Sequence, residues 1–349
     1  MQTIIKATVL LGIVLVALLL VWPVDYSFRE EQVSFQHGGN HLTGVMTIPG
    51  NSEGPFPVVV FVHGDGALPF DAYGYYRPLW DRLAKMGIAS FSWDKAGIGK
   101  STGNWESQSM DDRSEEVIAA IEILKQHADI ALDKIGLIGF SQAGWVLPLV
   151  AKKSNYPDFM ILVSGAISWM EQGAYLMQSR MTRKGFSQTQ IDKEINNHFQ
   201  SSEELLSSSS TYEEYLQSHH SSTAIYEKRR KPMSRQRFLF AKLNLRSDAR
   251  DSLGDILCPT LAVFGAQDLN INSPESARVY EEEFIASGNT DWRIKMFPGA
   301  QHSLLKEKYF KETNPGVWFM IKFEILGDAA FADGLLDLVV SWTEDRVSS

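Results

Sequence analysis

The stretch Lys134-Ile135-Gly136-Leu137-Ile138-Gly139-Phe140-Ser141-Gln142-Ala143-Gly144 decides how the chain reads. Its first half is a short apolar run without alternation, which fits a strand buried on both faces of a parallel sheet. Small residues then flank Ser141, and residues 143–153 read as a helix. A strand that turns sharply into a helix lifts a serine hydroxyl clear of the sheet, beside a helix N-terminus whose dipole favours developing negative charge. Ala143 stands where the G-x-S-x-G pattern has its second glycine. Taken alone, a serine at such a turn is more often simply a helix N-cap.

Outward from this junction, strands and helices alternate. Residues 32–48 hold two extended stretches around His37-Gly38-Gly39-Asn40, a turn signal that predicts a β-hairpin. Val58-Val59-Val60-Phe61-Val62 predicts a buried strand, a helix follows over 75–86, and Ile88 to Trp93 is again extended. A helix over 111–127, the strand before Ser141, the helix 143–153 and a strand over 159–163 continue the order. Such alternation implies right-handed crossovers and a mostly parallel sheet.

Between 166 and 251 no strand is legible, and the composition turns to Ser, Glu, Gln, Arg and Met. Residues 188–199 and 235–245 have helical amphipathicity, so the segment reads as a helical insertion; a structureless loop of that length is improbable in a compact domain. Alternation resumes with a strand over 260–264, a helix over 274–287, a strand over 292–297 and a last helix over 334–343. The expected division is an N-terminal segment 1–25, an α/β core of 26–165 and 252–349, and an insertion 166–251.

A serine is a weak nucleophile unless a base takes its proton and a third group orients that base. His302, in Phe297-Pro298-Gly299-Ala300-Gln301-His302, follows a predicted strand end, where functional residues of open α/β sheets collect. Asp268, in Gly265-Ala266-Gln267-Asp268, follows another, although aspartate is also a common turn residue. After the strand at 58–62 comes His63-Gly64-Asp65-Gly66, a turn that lets main-chain amides approach a substrate oxygen. The amides of Asp65 and Gln142 are the expected oxyanion donors, and His63 is expected to be structural. The order Ser141, Asp268, His302 is the one found in α/β-hydrolases.

From about residue 32 onward the chain resembles the α/β-hydrolase superfamily. It is most similar to bacterial esterase-like members grouped with serine aminopeptidases and prolyl-oligopeptidase-type hydrolases. The resemblance rests on His63 to Gly66, on Trp93-Asp94-Lys95-Ala96-Gly97-Ile98-Gly99-Lys100-Ser101, and on Gly139 to Gly144, Gly265 to Asp268 and Pro298 to His302. It implies an α/β-hydrolase fold with a sheet of about eight strands and a lid in the place of the insertion. It also implies Asp94 as scaffold. A carboxylesterase is the first expectation. A serine exopeptidase or amidase is the enzymatic alternative, with Glu203, Glu204, Glu213 and Glu214 as candidate binders of a free amino terminus. A hydrolase-like binding protein with a silent triad is an alternative of another class. Trp145, Trp169, Met170, Tyr175 and Met177 are candidates either for pocket lining or for lid packing.

No metal or organic cofactor is called for. A formal net charge of −9 argues against nucleic acid as a partner; the basic run Lys228-Arg229-Arg230-Lys231 reads as a solvated helix face. The N-terminal segment is the second feature with a partner. Ala7 to Val24 carries no charge, follows Lys6 and precedes Asp25, Glu30 and Glu31. As a helix it would span about 27 Å, close to the hydrocarbon thickness of a bilayer. Leu18-Leu19-Leu20-Val21-Trp22-Pro23 does not suit a small-x-small cleavage site. The expectation is a transmembrane anchor, with a cleaved signal as the alternative, and the catalytic domain outside the cytoplasm.

Overall fold

In the computed structural model, residues 25–50, 52–206, 211–221, 231–310 and 316–348 are described. The N-terminal apolar segment and most of the basic run at 228–231 lie outside them. Among the described residues no helix is long and apolar enough to cross a membrane.

Eight strands form one sheet: β1 (Phe28–His37), β2 (Asn40–Pro49), β3 (Phe56–Val62), β4 (Ala89–Trp93), β5 (Ile130–Phe140), β6 (Phe159–Val163), β7 (Thr260–Gly265) and β8 (Trp292–Phe297). Their order is β1-β2-β4-β3-β5-β6-β7-β8. The first two form the expected hairpin, and β2 joins β4 antiparallel. All later pairings are parallel. The hairpin turns through Gly38 and Gly39, both at positive φ, 54° and 77°. Two residues of that hand match the right-handed twist of the strands, and glycine adopts them without a Cβ clash.

The α-helices among the described residues are α1 (Arg77–Lys85), α2 (Met110–Leu124), α3 (Ala143–Lys153), α4 (Trp169–Arg183), α5 (Gln188–Leu206), α6 (Tyr212–Ser221), α7 (Arg235–Asn244), α8 (Ser273–Ser287), α9 (Val317–Leu326) and α10 (Leu335–Val347). The helix α9 was not legible in the sequence. Its run Val-Trp-Phe-Met-Ile-Lys-Phe-Glu-Ile-Leu carries apolar residues on opposite sides, interrupted by Lys322 and Glu324, and gives no single-faced period to recognise.

The central strands explain why the core has two layers. Side chains alternate between faces along a strand. In β3, Val58, Val60 and Val62 therefore join the core shared with α2, α3 and α8, whereas Val59 and Phe61 join the core shared with α1 and α10. Each such side chain removed from water contributes roughly 1.5–3 kcal/mol before entropy is counted. A sheet covered on both faces requires this unbroken apolar run, and a polar residue at either parity would face a packed layer.

Strand order also locates the cleft. From β3 the chain moves outward to β4 on one side and then returns to pair β5 on the other. The carboxyl ends of β3 and β5 thus flank a topological switch point, where open α/β sheets leave a crevice.

Candidate active site

Register brings the pieces together before any side chain acts. Val62 of β3 lies opposite Gly139 of β5, so the turn after β3 faces the turn after β5. A Cβ on Gly64 would come within 3.1 Å of the Phe140 carbonyl oxygen and 3.3 Å of the Ser141 Cβ, so glycine permits this approach. Across the sheet, Gly265 of β7 pairs Phe297 of β8, which places the loops carrying Asp268 and His302 side by side.

Ser141 has φ +51°, the left-handed region. Only a forced turn holds a non-glycine residue there, at a cost of about 1 kcal/mol. Its amide donates to the Val163 carbonyl oxygen at 2.8 Å, and its own carbonyl accepts from the Gly144 amide at 2.8 Å. The turn is tight around it. A Cβ on Gly144 would reach Gly165 Cα at 2.7 Å, whereas the methyl of Ala143 is accommodated, fully buried.

The side chains form a continuous chain. His302 Nε2 is 2.8 Å from Ser141 Oγ, and His302 Nδ1 is 2.7 Å from Asp268 Oδ2. A carboxylate only accepts, so the imidazole proton sits on Nδ1 and Nε2 is free to accept from the serine. The Asp268 side chain is wholly buried. Its second oxygen accepts from the amides of Asn270, at 2.7 Å, and Ile271, at 3.1 Å. Those bonds satisfy the buried charge and fix its orientation. Tyr175 donates to the Asp268 carbonyl at 3.1 Å, and Tyr75 donates to the Ser303 carbonyl at 2.6 Å, bracing both loops. All three residues selected from the sequence are thereby brought into contact.

The turns bearing Asp65 and Gln142 meet at the same place. Gln142 lies at the head of α3, where first-turn amides have no intrahelical partner. The Gln142 side chain donates to Asp65 Oδ1 at 3.3 Å. His63 is structural: Nε2 donates to the Trp93 carbonyl at 2.7 Å and Nδ1 accepts from the Tyr76 hydroxyl at 2.9 Å. Burial pushes its pKa down to about 3. Asp94 is scaffold, accepting from the amides of Phe70 and Lys100 at 2.9 and 3.0 Å.

Three cations missed by sequence reasoning surround these turns. Arg113, on α2, donates to the Gln142 side-chain oxygen at 2.5 Å and to the His63 carbonyl at 2.6 Å. Lys95 donates to the Gly64 carbonyl at 3.0 Å and lies 4.4 Å over the Trp105 ring. Burial, reinforced by the nearby Arg113 charge, lowers its pKa well below the ordinary value. Arg237, on α7, binds both oxygens of Asp65 at 3.0 and 2.8 Å. Burial alone would raise the Asp65 pKa, but the Arg237 guanidinium more than offsets it and holds it low. A signal for Arg113 was available. It falls with Glu116 at i and i+3 among the mostly apolar buried residues of α2.

Of the aromatic and Met candidates, Trp145 stacks on Trp169 at 5.2 Å and donates to the Ile167 carbonyl. Met177 packs with Met181 and Ile191 between α4 and α5. Two of the four acidic candidates are engaged elsewhere. Glu213 pairs with Arg235, and Glu214 accepts from the Thr211 amide and hydroxyl at 2.7 and 2.9 Å as a capping group.

Comparison with known proteins agrees with this architecture. Residues 53–309 match the family model described as serine aminopeptidase, S33. Esterase EstD of Thermotoga maritima is 26% identical over 142 residues, a stretch that covers 40% of this chain and 32% of that esterase. Among solved structures, the Pyrococcus furiosus esterase Pf2001 superimposes with a TM-score of 0.53 at 15% identity, covering 92% of this chain and 91% of the other. Est1E from Butyrivibrio proteoclasticus, solved with ferulic acid bound, gives 0.53 at 15%, over 91% and 100%. The α/β hydrolase GrgF from a Penicillium species gives 0.57 at 17%, over 92% and 100%. At such identities the structural likeness shows the fold.

Proposed function

We propose, from the premise that the chain belongs to the serine aminopeptidase S33 family of α/β-hydrolases and is an esterase-like hydrolase, that it cleaves carboxylic esters through an acyl-enzyme on Ser141. The observation that carries this reading is the hydrogen-bonded chain Ser141 Oγ, His302 Nε2, His302 Nδ1, Asp268 Oδ2. Ser141 Oγ attacks the ester carbonyl carbon as its proton passes to Nε2. The carbonyl oxygen takes the electron pair and is stabilised by the amides of Asp65 and Gln142, donors that can each contribute about 3 kcal/mol to such a transition state. Asp268 holds the resulting imidazolium, which then protonates the departing alkoxide. Water deacylates the serine by the same steps in reverse.

An ester is favoured over a peptide with a free amino terminus because two of the four acidic candidates, Glu213 and Glu214, are committed to Arg235 and to a helix cap. The helices α4 to α7 are read as a lid, latched to the oxyanion turn by Arg237 and Asp65. Residues 1–25 are read as a membrane anchor with the hydrolase domain outside the cytoplasm.

A fluorophosphonate probe tests the nucleophile. It should label the wild-type chain at Ser141 and leave Ser141→Ala unlabelled with unchanged circular dichroism; label retained on another serine would sink the assignment. A panel of p-nitrophenyl esters against aminoacyl p-nitroanilides tests the substrate class, with the esters turned over much faster. Recovery of a soluble mature protein beginning near Tyr26 would overturn the anchor.

A further inference from the structure

Helix α9 turns an apolar face to solvent. Val317, Trp318 and Ile325 are 73%, 79% and 62% exposed. At about 100° per residue they fall with the half-buried Ile321 on one side of the helix, opposite Phe323. Phe323 is buried, stacked on Tyr75 at 6.0 Å and edge-on to Phe331 at 5.7 Å. The helix is therefore seated firmly by one face, while among the described residues nothing covers the other. Lys322, which donates to the Tyr309 carbonyl at 2.9 Å, and Glu324 flank the exposed stripe. Adjoining apolar side chains rimmed by polar ones mark a surface that is covered in use.

The place where the N-terminal segment enters the fold says what covers it. Tyr26 stacks on Phe28 at 5.0 Å, and Arg77 of α1 lies 5.6 Å over the Tyr26 ring. Arg82 of the same helix, five residues on and about 7.5 Å along its axis, pairs at 2.8 Å with Asp328, two residues beyond the end of α9. The entry of the chain and the end of α9 thus rest on one short helix. Glu324 of α9 lies within electrostatic range of the Tyr26 phenol. The uncharged run Ala7 to Val24 ends two residues before Tyr26, and two residues reach at most about 7 Å.

We propose that the Val317, Trp318, Ile321 and Ile325 face of α9 lies in the interfacial layer of the same bilayer that the N-terminal anchor would enter, as a second contact that orients the hydrolase domain. The proposal rests on the anchor reading. A span alone leaves the domain free to swing about its tether. A helix with an apolar stripe, tryptophan at its edge and charged flanks is suited to lie in the plane of the headgroups. Because Tyr75 joins the buried face of α9 to the Ser303 carbonyl beside His302, this contact would hold the catalytic loop at a set distance from the lipid.

The test uses the full chain in phosphatidylethanolamine–phosphatidylglycerol vesicles. Nitroxide labels are placed at Trp318→Cys or Ile325→Cys in a Cys258→Ser background, with Lys193→Cys, exposed on α5, as control. Ester hydrolysis reports folding and flotation reports the anchor. Expected is flotation with the labels at 318 and 325 relaxed several-fold more by oxygen than by a water-soluble nickel chelate, relative to the control. Flotation with aqueous labels at both positions overturns the docking and leaves the anchor standing. Spin–spin coupling between chains overturns it in favour of a second copy, and shielding from both relaxers without coupling overturns it in favour of cover by the chain itself. Failure to float overturns the anchor and this proposal with it.

Discussion

Arg113 joins Gln142 at 2.5 Å while its other terminal nitrogen holds the His63 carbonyl, so one buried guanidinium ties the head of α3 to the end of β3. The two amides proposed to receive the oxyanion stand on those two elements. Their separation is set by a residue that hydrogen-bonds neither Ser141 nor His302.

Arg113→Gln should therefore lower kcat about tenfold or more while changing KM little, because the donors lose their alignment only where charge develops. Arg113→Lys should recover part of that loss. Gln142→Ala keeps the main-chain donor and should cost less. Ester kinetics with thermal midpoints for all three check this, and an equal rise in KM with constant kcat would assign Arg113 to ground-state binding instead.

Ser141 sits at φ +51° for the sake of the turn. Ser141→Gly should raise stability by about 1 kcal/mol, since glycine takes this conformation without strain. Ser141→Ala, with its Cβ retained, should leave stability near the wild-type value. Urea denaturation of the three proteins measures the difference. Both variants should be inactive, so the stored strain is separated from the chemistry.

Asp268→Asn should reduce kcat by about a thousandfold or more with a small effect on KM. The asparagine oxygen would keep the amides of Asn270 and Ile271, turning its NH2 toward His302 Nδ1. The imidazole proton must then move to Nε2, where it blocks acceptance from Ser141. Losses from Asp268→Asn and His302→Ala should be far from additive. If Asp268→Ala retained full turnover and another carboxylate proved essential, the orienting acid would be a different residue.

His63 links stability to pH. In the folded chain it protonates only near pH 3, because burial disfavours the charge, against an ordinary value of 6.5. Above pH 6.5 neither state binds this proton and the contribution is complete. Below 6.5 the unfolded state takes up the proton first, so stability is lost as the pH falls toward 3. The slope approaches about 1.4 kcal/mol per pH unit. Urea midpoints between pH 8 and 5 should fall more steeply for the wild type than for His63→Gln. Equal slopes would refute the linkage.

Much of the fold was legible because period and order are local properties. The short, mostly β-branched run Val58 to Val62 fits a strand covered on both sides, and Gly38-Gly39 fits a tight turn between extended arms. Ser141, Asp268 and His302 were found because each follows a strand end, and strand ends in a parallel sheet share one edge. Helix α9 was not found, since an apolar run without a period looks alike whether it is buried or exposed.

What the chain determined by itself was therefore the alternation of elements and the chemical identity of the residues at their ends, because backbone preference and amphipathic period act over a few neighbours. Tertiary structure alone decided which of those ends meet. The pairing of Val62 with Gly139 and of Gly265 with Phe297 sets the distances on which the serine, the histidine and the aspartate depend. It also decided that Arg113, Lys95 and Arg237, separated by up to 142 positions, converge on one turn. The contact of α9 with Tyr75 arises in the same way, from register and packing between segments far apart in the chain, which no local preference encodes.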